Sequence, residues 1–108
     1  MPEPFKQAIF KYFETLDLYT NAIVNAHGKN HPETFEVRKL FEKIKDANRN
    51  NLNLDNEFTQ LRKVTDNYAI PDDVCETYEA TYQMLAEVER AYYLSIELKL
   101  NRKRRNLE

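Results

Sequence analysis

Two histidines are the residues in this chain best suited to metal chemistry. The stretch NAHGKNHPETF, residues 25–35, places His27 and His31 four apart, and the chain holds no third histidine. On one helix that spacing would turn both imidazoles the same way, able to share a metal ion. Gly28 and Pro32 read instead as the end of one helix and the start of the next, which puts the two rings on different elements. Other reactive types are thin. Glu87 and Glu89 point about 200° apart on a helix and cannot act as an acid–base pair. There is no phosphate-cradling glycine loop, no HExxH and no CxxC. Cys75 falls on an apolar row and reads as an inert buried thiol. Of the seven tyrosines, Tyr12, Tyr19, Tyr78, Tyr82 and Tyr92 read as core and rim packing with hydroxyls reaching water. Tyr93 and Leu94, off the main row beside Leu98, form a candidate exposed apolar patch for a partner.

The elements that position these residues follow from composition and spacing. At 108 residues the chain makes one domain, 1–108. Hydrophobic residues at 42% and charged ones at 31% fit a folded globular protein and exclude a disordered one. One glycine and four prolines leave long uninterrupted segments, which predict helices. No run approaches the roughly 20 apolar residues that span a bilayer, and MPEPFKQ lacks a secretory pattern. With a single cysteine, a cytoplasmic protein without membrane contact is expected. Residues 1–98 carry 11 basic and 17 acidic side chains, so the excess base lies in Lys99, Arg102, Lys103, Arg104 and Arg105. That tail is the one feature that could meet nucleic acid, and the acidic body opposes it.

A first helix is predicted from Pro4 to Ala26, with Phe5, Ile9, Tyr12, Phe13, Leu16, Tyr19 and Ile23 inward. Gly28 is expected just past its end in a left-handed conformation. Asn30 with Glu33 reads as a capping box for a second helix that turns Val37, Leu40, Phe41, Ile44 and Ala47 inward. The third, about 54–67, carries Leu54, Phe58, Leu61 and Val64. Pro71, followed by Asp72 and Asp73, is expected to open the last helix. That helix runs to about Arg104, with Cys75, Tyr78, Tyr82, Leu85, Val88, Tyr92 and Ile96 inward. The fold class is therefore all-α, an antiparallel up-down four-helix bundle. The alternative is three long helices, the second and third fused across 32–67 through the asparagine-rich stretch, with the chain dimerising to cover its exposed half.

Two stretches, AHGKNHPETFEVRKLFEKI and LRKVTDNYAIPDDVCETYEATYQMLAEVE, together resemble the hemerythrin-like domain of the iron-sulfur cluster repair di-iron proteins. The elements that carry the likeness are HG followed by HPE, and the order of residues 61–82. The resemblance implies a four-helix bundle holding two irons through histidines and carboxylates, with His27 in the position of one ligand. Elsewhere the chain departs from the pattern. Lys6 stands where the family carries a histidine, Asn51 and Asp55 stand for a histidine and a glutamate, and Tyr93, Ser95, Glu97 and Lys99 occupy a ligand-rich stretch of the last helix.

That leaves His27 and Asp55, with Glu97 beside them, as vestigial metal positions, too few for two irons. The expected protein is not an enzyme and carries no cofactor. It is a bundle that acts through protein contacts or self-association at Tyr93, Leu94 and Leu98. The alternative from a different class is an iron-binding protein with a reduced site around His27, linked to iron-sulfur cluster repair or nitrosative stress.

Overall fold

In a computed structural model of the chain, the structure describes residues 3–49 and 53–107. Four helices follow one another: α1 Pro4–His27, α2 Glu33–Arg49, α3 Asp55–Val64 and α4 Glu76–Leu107. No strand occurs among the described residues. Asn53 and Leu54 are not helical, so α2 and α3 are separate elements and the fused three-helix alternative does not hold. None of the described helices is long and apolar enough to cross a membrane.

Each helix turns one apolar row inward, and the rows meet in a single core. Leu16 and Ile23 of α1, Val37, Leu40, Phe41 and Ile44 of α2, Phe58 and Leu61 of α3, and Tyr78, Tyr82, Leu85 and Val88 of α4 are all buried. The period of three and four that predicts these rows is the period that packs them. α1 and α4 lie antiparallel along most of their length. At one end the Phe5 N–H donates to Ser95 Oγ at 2.9 Å, and at the other His27 Nε2 sits 3.2 Å from Cys75 Sγ. The first contact also caps α1, whose preceding Glu3 supplies no side-chain cap. α2 is tied to α1 by Asp17, which accepts from Arg38 at 2.9 Å and Lys45 at 2.7 Å. Those two cations, Lys45 first, hold the Asp17 carboxyl below its usual range.

The molecule measures 55 × 23 × 21 Å, and its long dimension is set by α4. At ~1.5 Å per residue, the 32 residues of that helix reach well beyond α1. Residues 97–105 are consequently all exposed, including Arg102, Lys103, Arg104 and Arg105.

Three local expectations are corrected. Gly28 has φ −56° and ψ −31°, ordinary right-handed backbone. Its smallness matters for space instead, since a Cβ there would sit 2.6 Å from the Val24 carbonyl oxygen and 2.8 Å from the Phe35 ring. Gly28→Ala, which backbone entropy alone would make stabilising, is therefore expected to lower stability by about 1–3 kcal/mol, read from urea denaturation. The capping box does not form either, because Glu33 directs its carboxylate to His31 and Tyr78. Finally, α4 starts at Glu76, five residues after Pro71. Asp66, Asn67 and Tyr68, at φ 53°, 59° and 63°, turn the chain back first. Left-handed backbone disfavours each of them by roughly 1–2 kcal/mol. The turn is held by Thr65 Oγ1, which donates to the Leu61 carbonyl at 2.6 Å and accepts the Tyr68 N–H at 2.9 Å.

Candidate functional site

The late start of α4 changes the surroundings of His27. Cys75 lies just ahead of the helix, exposed rather than buried, and its thiol faces the imidazole across 3.2 Å. The acidic pair Glu76 and Glu79, in the first turn of α4, is the signal in the sequence that marks the true helix start. Pro71 with Asp72 and Asp73 imitates that signal five residues early.

Around this pair the chain gathers a polar cluster. His31 Nδ1 lies 3.0 Å from Glu33 Oε1 and its Nε2 3.0 Å from Asp73 Oδ1. A ring with carboxylates at both nitrogens is satisfied when both carry protons, so Asp73 first and Glu33 with it raise the His31 pKa above its ordinary 6.5. The imidazolium in turn lowers the Asp73 carboxyl. Inside the cluster, Tyr82 OH and Tyr78 OH lie 2.9 Å apart, and Tyr78 OH donates to Glu33 Oε1 at 3.1 Å. Both tyrosines are buried, and burial pushes their hydroxyls upward. These hydroxyls find partners within the fold and do not reach water, contrary to expectation.

The cluster joins the α1–α2 junction to the segment before α4, so its protonation bears on stability. A folded-state pKa raised above 6.5 means that the His31 contribution is complete below about pH 6.5 and is lost as pH rises through the higher folded value. The Asp73 contribution has the opposite sense and is lost as pH falls below its ordinary 3.8. Wild type is therefore expected to exceed His31→Gln in unfolding free energy most clearly near pH ~5.5, with the gap narrowing by pH ~8.5. Equal gaps at both pH values would show that His31 is not held as an imidazolium.

The residues present do not fit a di-iron centre. The bundle interior between α1 and α4 holds Thr20, Tyr78, Thr81 and Tyr82 among aliphatic side chains, and none of these is an imidazole or a carboxylate. Among the described residues, no group of three or more His, Cys, Asp or Glu is placed to hold a metal ion. His27 packs edge-on to Tyr78, whereas Asp55 accepts from Tyr92 OH at 3.0 Å. Those tyrosines are fourteen residues apart on α4, about 21 Å at ~1.5 Å per residue, so His27 and Asp55 cannot share an ion. Asn51 lies outside the described residues. Glu97, Lys6 and Lys99 are on the surface, so none of the three lines the interior.

The expected partner patch divides. Tyr93 is partly buried against the core, under the Arg62 guanidinium at 5.8 Å and against the Phe58 ring, so it belongs to the α3–α4 packing. Leu94 and Leu98 are 44% and 39% exposed. They lie on the outward stripe of α4, which runs from Glu76, Glu79, Gln83 and Glu87 through Arg90, Leu94, Leu98 and Asn101 to Arg104 and Arg105. At about 100° per residue this stripe is opposite the buried row Tyr78, Leu85, Val88 and Tyr92. Its first half is acidic and its last turns are basic. On the α1 side of that stripe a groove of ≈ 510 Å³ opens between Tyr12 and the α4 residues Ala80, Gln83, Met84, Ala86 and Glu87.

No protein-family model, curated protein or solved structure matches the chain.

Proposed function

We propose that this protein is a non-enzymatic helical bundle that works through protein contacts made by the outer face of α4. One observation carries the reading: Leu94 and Leu98 stay exposed on a helix whose opposite row already completes the core. Apolar side chains that folding does not use, on the same helix as a groove floored by Ala80, Met84 and Ala86 and between charged ends, suit a protein partner. The likeness to the hemerythrin-like repair proteins supports a shared bundle architecture, and this reading takes no metal chemistry from it. The one cysteine, a solvent-facing thiol beside His27, suits a reducing compartment such as the cytoplasm. The basic tail serves the same protein contact and not nucleic acid, given the acidic body.

The test is a photoreactive amino acid placed at position 98, with Leu18 on the outer side of α1 as an exposed control. In cells expressing the chain, position 98 is expected to trap a protein and position 18 is not. Trapping at neither position, or equally at both, would overturn the reading.

A further inference from the structure

The α4 face carries both halves of one contact. Leu94 and Leu98 project from the second half of the stripe, and the groove beside Ala80, Met84 and Glu87 lies along the first half. Glu76 and Glu79 stand at the acidic end, Arg104 and Arg105 at the basic end, and all four are exposed. Acid and knob therefore lie on the same stripe as base and socket, in reversed order. A surface of that kind is complementary to itself under a twofold rotation, the relation that closes a dimer.

We propose that the partner of this face is a second copy of the chain, packed antiparallel through α4 about a twofold axis near residue 92. The inference rests on the association reading above and names its partner. Register follows from the helix. Taking Gln83 as the centre of the outward direction, it meets Asn101 of the second copy. Residues whose numbers sum to about 184 then face one another. Leu98 and Leu94 sit on the α1 side of that centre. Leu98 enters the groove at the level of Met84 and Glu87, and Leu94 covers the Arg90 stem. On the other side Arg104 meets Glu79, and Glu97 meets Arg90. Arg105 reaches Glu76. Each pairing occurs twice by symmetry. Residues 100–105, exposed in one chain beyond the start of α1, then lie along the first half of the second copy's α4.

Exposed ion pairs give little affinity singly, so the leucine contacts supply attraction while the charges set direction and register. That division makes a charge exchange decisive. In Arg104→Glu both symmetric contacts become acid against acid, and in Glu79→Arg both become base against base. Mixing the two variants yields a heterodimer in which both contacts are again opposite in sign.

Sedimentation equilibrium over a wide concentration range is the measurement. Wild type is expected to dimerise, each single variant to dimerise at least ~10-fold more weakly at low salt, and the equimolar mixture to recover the wild-type constant. Leu98→Ser is expected to be monomeric while retaining wild-type helicity, and to unfold thermally like wild type at concentrations low enough for wild type itself to be monomeric. A wild type that remains monomeric, or a mixture no stronger than its components, overturns the second-copy proposal. The mass of the species trapped at position 98 separates the two readings. A trapped protein other than this chain leaves the association reading standing and removes the second copy, while no trapped species removes both.

Discussion

Replacing Phe58 with alanine is expected to lower the unfolding free energy by about 3–5 kcal/mol, the largest loss from any single substitution proposed for this protein. α3 has ten residues, too few for a helix to persist in water without packing. Its hold on the bundle is Phe58 and Leu61, both fully buried. The Phe58 ring lies 5.1 Å from Tyr92 and 6.4 Å from Tyr93, so its removal opens a hole against two aromatic neighbours that cannot close in without leaving their own partners. Phe10, 93% exposed on α1, is the matched control, and Phe10→Ala is expected to change stability by less than about 0.5 kcal/mol. Urea denaturation of both variants checks the pair. A Phe58→Ala loss below about 1 kcal/mol would mean that α3 does not pack where the structure puts it.

Tyr92→Phe is the second large effect, at about 1–3 kcal/mol. The hydroxyl of Tyr92 accepts the Leu54 N–H at 2.9 Å and donates to Asp55 Oδ1 at 3.0 Å. Leu54 precedes α3 and supplies no side-chain cap, so this phenol from α4 satisfies a donor that the helix start leaves without an intrahelical partner. Phenylalanine keeps the packing and strands a buried N–H away from water, which is the expensive half of a broken hydrogen bond. Asp55→Asn retains an oxygen that can accept from the phenol and is expected to cost no more than about 0.5 kcal/mol. Amide hydrogen exchange at Leu54 locates the damage: protection should fall in Tyr92→Phe and persist in Asp55→Asn. Equal effects from the two variants would place the stabilisation in the carboxylate and not in the phenol.

The helical rows were readable because burial along an α-helix imposes a period that few residues can fake. Val37, Leu40, Phe41 and Ile44 are inward in both the reading and the structure, as are Tyr78, Tyr82, Leu85 and Val88. The segment between α3 and α4 was not readable, for a physical reason. Proline followed by two aspartates is good chemistry for a helix start, but the left-handed residues 66–68 turn the chain before that chemistry can be used. Cys75 therefore leaves the apolar row and comes to face His27. Gly28 shows a different kind of gap: the residue is the expected one, while its reason is the ring of Phe35, seven positions on. The partners of the tyrosine hydroxyls, Glu33, Asp55 and the Leu54 amide, come from outside α4 and so leave no mark on its periodicity. Helical periodicity says which way a ring points and is silent about what its far end meets. Leu94 and Leu98 were recognisable as outward from the same periodicity, whereas Tyr93 depended on where Arg62 of α3 would lie.

The Ser95 hydroxyl that receives the Phe5 amide comes from ninety positions further along. During synthesis, the opening turn of α1 must wait until Ser95 has left the ribosome before it meets its cap. Until then the first turn of α1 frays, and any truncation that removes Ser95 would leave that fraying permanent.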